Sequence, residues 1–108
     1  MIQEIKINEK TSFIRIMGNS PINRVLDFLI ENERTGWTML EIAKNANVGY
    51  STLKIILPEL IDNNLIIIVK EIGKVKLYSI NKENLIVKKL YDLHKQITIN
   101  EIKKLKYS

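Results

Sequence analysis

The 108-residue chain contains no cysteine, one histidine, two prolines and four glycines. The missing cysteine removes disulfides, thiolate metal sites and cysteine nucleophiles from consideration. Long apolar runs are missing as well. The longest, Leu65 to Val69, has five residues, far below the roughly eighteen that a membrane-spanning helix needs. Glu4 interrupts the basic-then-apolar layout of a secretory leader, so the reading is of an intracellular, cytoplasmic chain. Aromatics make up 6% of the residues, too few to suggest the stacking platform of a single-strand or RNA binder. No glycine-rich phosphate loop, paired-carboxylate motif or Ser/His/Asp pattern is present. No enzyme, catalytic residue or cofactor is therefore expected.

What remains has the balance of a folded protein. The chain is 45% hydrophobic and 27% charged, the range in which this length buries a single core. Seventeen lysines and arginines stand against twelve acids, a formal charge of +5. A basic balance favours nucleic acid or an acidic partner, although lysine-rich proteins can be basic without binding anything. The distribution is uneven. Residues 21–64 carry four basic and six acidic side chains, whereas residues 65–108 carry ten basic and four acidic ones.

Residues 1–17 read as an N-terminal extension. Ile5 and Ile7, then Ile14 and Ile16, alternate with polar neighbours on either side of a turn at 8–11, which suits a small hairpin; a short helix over 13–17 is the alternative. Ser20-Pro21 is an N-cap followed by the residue best suited to the first helical position. Ile22, Val25, Leu26, Leu29 and Ile30 then form one amphipathic stripe, predicting a helix over about 21–33 that ends before Gly36. Thr38-Met39-Leu40-Glu41 is a capping-box pattern. It opens a short helix to about Ala46 with Leu40, Ile42 and Ala43 inward. Asn47-Val48-Gly49 makes a corner, and a third helix runs over about 50–63, with Leu53, Ile56, Leu57, Leu60 and Ile61 inward and Asn64 as a left-handed cap. The period then shortens from 3.6 to 2, so 65–72 and 75–80 flank Gly73-Lys74 as a β-hairpin. A last helix spans 81 or 82 to about 96. Thr98-Ile99-Asn100-Glu101, a second capping-box pattern, predicts a bend before a final turn over Ile102 and Leu105. The expected fold class is mainly α with a small β-hairpin, in the order helix, helix, helix, hairpin, helix.

Two adjoining helices with a short corner, a small residue at Ala43 where they meet, and a hairpin directly after the second of them form a helix-turn-helix candidate. Thr38-Met39-Leu40-Glu41-Ile42-Ala43, Val48-Gly49-Tyr50-Ser51-Thr52-Leu53, Leu57-x-x-Leu60, Leu65-Ile66 and Leu77-Tyr78 together resemble winged helix-turn-helix transcriptional regulators, most closely the archaeal ArsR/MarR-like group. Residues 18–26 and 81–84 extend the resemblance. It implies a DNA-binding homodimer, with the third helix in the major groove and the hairpin as a wing on the backbone or minor groove. On that division residues 18–82 form the winged helix-turn-helix domain and 83–108 a C-terminal dimerisation helix. The chain departs from the pattern at Gly49, where a Ser-like cap is usual, at Asn64, where glycine is usual, and at Pro58 inside the recognition helix.

The residues support specific roles. Projected at 100° per residue, Ser51, Lys54, Ile55 and Pro58 lie opposite the leucine stripe of the third helix. Ser51 and Lys54 suit phosphates or base edges, and Ile55 suits a thymine methyl, unless it contacts a neighbouring element. Tyr50 and Thr52 flank them at the helix N-terminus, where backbone N–H groups favour phosphate. Lys70, Lys74 and Lys76 cluster around Gly73 and can track phosphates; lysines on a hairpin edge also simply oppose aggregation. If double-stranded DNA is the partner, Lys54, Lys70, Lys74 and Lys76 should share one face. The stripe Ile86, Leu90, Leu93 and Ile97 can fold back on the first long helix or pair with a second copy, and pairing is the expectation. His94, alone beside that stripe, reads as an interface or surface residue, and no metal ligand is assigned.

Overall fold

The structure, a computed structural model, describes residues 11–107. Among them are five helices and one antiparallel hairpin: α1 Ser12–Met17, α2 Pro21–Glu31, α3 Met39–Asn45, α4 Tyr50–Asp62, β1 Ile66–Ile72, β2 Val75–Ile80 and α5 Leu85–Tyr107. The protein is mainly helical with a small two-stranded sheet. Ile14 and Ile16 lie on α1, the helical one of the two alternatives for this stretch, capped by the Thr11 hydroxyl accepting from the Ile14 N–H at 3.2 Å. Ile5 and Ile7 lie outside the described residues.

α2 starts as its sequence dictates, with the Ser20 hydroxyl accepting from the Asn23 N–H and Pro21 in the first turn. It ends two residues earlier than the periodicity suggests, at Glu31. Val25, Leu26, Leu29 and Ile30 are buried, while Ile22, one turn ahead of them, stays exposed. The Thr38 hydroxyl accepts from the Glu41 N–H at 3.1 Å, and the Glu41 carboxylate accepts from the Thr38 N–H at 2.9 Å. That completes the capping box. Leu40 is a correction: it is 68% exposed. The inward face of α3 is set by Met39, Ile42, Ala43 and Ala46, spaced i, i+3, i+4, i+7, and Leu40 sits 100° off it.

α3 and α4 both end on an asparagine with positive φ, Asn47 at 56° and Asn64 at 61°. In each case the next N–H reaches back, Val48 to the Ala43 carbonyl and Leu65 to the Leu60 carbonyl, both at 2.9 Å. This is the Schellman arrangement, in which a left-handed residue frees the chain to turn while the last carbonyls stay satisfied. α4 then buries Leu53, Leu57 and Leu60. It continues through the exposed Pro58, which has no N–H to offer the Lys54 carbonyl.

Ile72 pairs with Val75 across Gly73, whose φ is +62°. The register slips once between Ile68 and Lys70, so Val69 is a bulge: Ile68 opposes Tyr78, Lys70 opposes Leu77 and Glu71 opposes Lys76. Gly36-Trp37 lies against the outer edge of β2, with Trp37 and Tyr78 exchanging backbone hydrogen bonds of 2.8 Å. Val25, Leu29, Ile42, Leu53, Leu57, Ile66 and Val87 are wholly buried between α2, α3, α4, the sheet and α5. Each such side chain contributes about 2 kcal/mol by leaving water.

α5 differs from expectation in three ways. It begins at Leu85, because Asn81 and Asn84 turn the chain first and the Asn84 side chain accepts from the N–H groups of Ile86 and Val87. There is no bend at 98–101: the Thr98 hydroxyl donates to the His94 carbonyl at 3.1 Å, so it adds to a helix already under way. The apolar stripe is divided. Ile97 is 6% exposed and forms a second small core with Phe13 and Ile14, and Leu90 packs against both cores. Ile86, at 61% exposure, and Leu93 remain outside. Part of the stripe thus folds back within the chain, because α1 occupies the space that a partner helix was expected to fill. No helix of the described residues is long and apolar enough to cross a membrane.

Candidate nucleic-acid interface

The exposed face of α4 is the one its helical projection indicates. Tyr50, Ser51, Lys54, Ile55 and Pro58 are exposed, and Thr52 is half-buried at the edge of the first turn. The helix opens without a side-chain cap, since Gly49 has none to offer. Lys54 places its ammonium 5.8 Å from the centre of the Tyr50 ring, within range of a cation–π attraction.

Beside Tyr50 the hairpin and the start of α3 enclose an open cleft of about 300 Å³, lined by Thr38, Leu40, Tyr50, Lys74, Lys76 and Tyr78. Residues directly opposite in an antiparallel pair share a face, so Lys76 and Tyr78 point from β2 to the same side as Glu71 and Ile68. Burial raises the Tyr78 phenol above its ordinary pKa, with further contributions from nearby Tyr50 and Glu71. Lys74 and Lys76 line the cleft from the hairpin, while Lys54 sits by the Tyr50 ring and is not itself a lining residue. Lys70 does not join them. The bulge at Val69 sets it opposite Leu77, on the other face of the ribbon, while Glu71 takes the place beside Lys76 that regular alternation assigns to Lys70.

Ile55 makes no use of a neighbouring element: it is 73% exposed. Leu40 is exposed as well and lines the cleft, which Ile55 does not. Leu40 is a cleft residue that sequence reasoning placed in the core. Its helical phase relative to Met39 could have revealed this, because a capping box fixes where the helix begins.

The second polar cluster was not legible. His94 is buried at 8% exposure, a correction to its reading as an interface or surface residue. Its Nε2 lies 2.8 Å from Asp27 Oδ1 and 3.2 Å from Glu31 Oε2. The Phe13 ring stacks on the imidazole with centroids 5.1 Å apart, and the Thr11 hydroxyl donates to Asp27 Oδ2 at 2.9 Å. Asp27 and Glu31 are one turn apart on α2, so the pair presents two carboxylates on one side of the helix. The three donor atoms lie within 4.8 Å of one another, an arrangement that can hold a metal ion. The contact joins positions 67 residues apart, and no local pattern announces it.

Comparison with protein-family models, with curated proteins and with solved structures finds no match to this chain.

Proposed function

We propose that the protein is a sequence-specific double-stranded DNA-binding transcriptional regulator of the winged helix-turn-helix type, acting as a homodimer. The observation that carries this reading is that Tyr50, at the start of α4, and Lys74 and Lys76, on the hairpin, line one cleft, with Lys54 beside the Tyr50 ring. In it α3 supports α4, α4 enters the major groove, and the hairpin lies along the backbone as a wing. Lys74 and Lys76 supply point charges to phosphates and set the docking position. Ser51 and Lys54 address base edges, and Ile55 meets a thymine methyl, where an exposed β-branched side chain gains from burial. Two copies related by a two-fold axis read half-sites about 10 bp apart, or a multiple of that.

Titration of duplex DNA at several salt concentrations tests the proposal. Affinity should fall steeply as salt rises, because each neutralised phosphate releases counterions. Lys74→Ala should weaken all sequences alike and flatten the salt slope by about 1, whereas Lys54→Ala should relax discrimination between sites by about 1–3 kcal/mol. Failure to bind any duplex at low salt would sink the reading.

A second reading, a protein-docking module, is favoured by the exposed apolar side chains of Leu40, in the cleft, and Ile55, on α4, and by Lys70 lying on the other face. In that case Ile55 and Leu40 anchor a partner and the lysines form its polar rim. Ile55→Ala then abolishes partner binding while DNA titrations stay flat.

A further inference from the structure

We propose that Asp27, Glu31 and His94 bind one first-row divalent transition-metal ion of the Zn2+ kind, fastening α5 to α2. The argument begins with a mismatch. A single ring nitrogen, His94 Nε2, faces two carboxylate oxygens, Asp27 Oδ1 at 2.8 Å and Glu31 Oε2 at 3.2 Å. One proton on that nitrogen can point at only one of them. A divalent cation in place of the proton serves all three atoms together and offsets both negative charges. Metal–donor bonds of about 2.0–2.2 Å in a tetrahedron set neighbouring donor atoms about 3.3 Å apart. The Glu31 separation of 3.2 Å already lies near that edge length, the Asp27 one is about half an ångström short of it, and all three donors fall within 4.8 Å of one another, so small side-chain movements bring them onto one ion.

The surroundings are those of a built site. His94 is more than nine-tenths buried, and its ring is held against Phe13. Asp27 is likewise buried, and its second oxygen is fixed by the Thr11 hydroxyl, the outer hydrogen bond that orients ligating carboxylates. Glu31 is half-exposed, which leaves a side open for the ion to arrive and for water to complete the coordination. One imidazole and two carboxylates, with no thiolate, suit Zn2+ or Mn2+ better than Cu(I), and the imidazole disfavours Mg2+. None of these residues lines the cleft beside Tyr50, so the proposal is independent of the DNA reading.

His94 is the one histidine of the chain, so its ring resonances report on this site alone. The full chain, carrying no histidine tag and stripped with a chelator, is titrated with Zn2+ and followed by calorimetry, imidazole NMR and thermal melting. The expected result is saturation at one ion per chain, displacement of the His94 signals and a higher Tm, with none of these under the same concentration of Mg2+. Glu31→Gln, measured against its own metal-free Tm, weakens Zn2+ binding roughly tenfold or more and shrinks the Zn2+-induced rise in Tm. Three results would each overturn the proposal: no saturable binding, His94 signals that ignore Zn2+, or equal Zn2+ affinity in Glu31→Gln.

Discussion

A methyl group on Gly36 would lie 2.7 Å from the Leu77 Cβ and 2.9 Å from the Val69 Cγ2, and its φ of +157° is one that side-chain-bearing residues rarely adopt. The glycine lets the Gly36-Trp37 segment lie flush against β2 and so fixes the hairpin relative to the start of α3. Gly36→Ala is expected to cost about 2 kcal/mol, since overpacking and an unfavourable φ act together. A lowered urea midpoint with an unchanged slope would show this. Trp37, the chain's one tryptophan, is a built-in fluorescence probe for the measurement: it packs edge-on to Phe28 at 4.8 Å and lies under the Arg34 guanidinium at 3.6 Å. Sequence alone gave Gly36 the role of ending a helix. Its tight fit against Leu77 depends on a contact forty-one residues away and was out of reach.

At the scale of elements, two stretches of the same pattern meet opposite fates. Thr38-x-x-Glu41 caps α3, whereas Thr98-x-x-Glu101 lies inside α5. A capping box works only where the preceding residues are not already helical, and Ile97 is held in helical phase by its packing on Phe13 and Ile14. Glu101 meets Arg15 at 3.3 Å instead. Local signals thus placed α2, α3, α4 and the hairpin to within a residue or two, because caps, left-handed asparagines and period changes are local physics. The course of α5 and the face of Lys70 depended on tertiary packing and on a bulge. Thr38→Ala should lower stability by about 1 kcal/mol through the loss of the N-cap, read as a fall in Tm. Glu41 adds a pH dependence. The Thr38 backbone N–H, and after it Arg34, hold its carboxyl below the ordinary glutamate range. A depressed carboxyl contributes stability above its unfolded pKa and loses it as pH falls through the folded value. The Tm gap between the native chain and Glu41→Gln should therefore be open at neutral pH and close in acid.

The described residues are held together by α5, which touches both cores, and its Tyr91 hydroxyl donates at 2.7 Å to Glu33 in the loop after α2, whose carboxylate Lys82, in the turn ahead of α5, also bonds at 3.0 Å. Tyr91 first, then Lys82, keep Glu33 below its usual pKa, and burial with the Glu33 contact pushes the Tyr91 phenol up. Since Leu90 and Ile97 are spent inside the chain, Ile86 and Leu93 are what the expected stripe leaves for self-association, alongside the exposed Leu85, Ile99 and Ile102 of the same helix. If these form the homodimer contact, sedimentation equilibrium should give twice the 12.6 kDa chain mass, and Leu93→Lys should halve it without unfolding the protein. A wild-type mass of one chain would remove the dimer from the proposal. The bulge at Val69 bends the ribbon without deciding its charge. A chain lacking that residue would close the ladder as a regular one, with Lys70 still opposite Leu77 and Glu71 still opposite Lys76. Neutralising Glu71, and not straightening the strand, is the shortest route to a more electropositive groove.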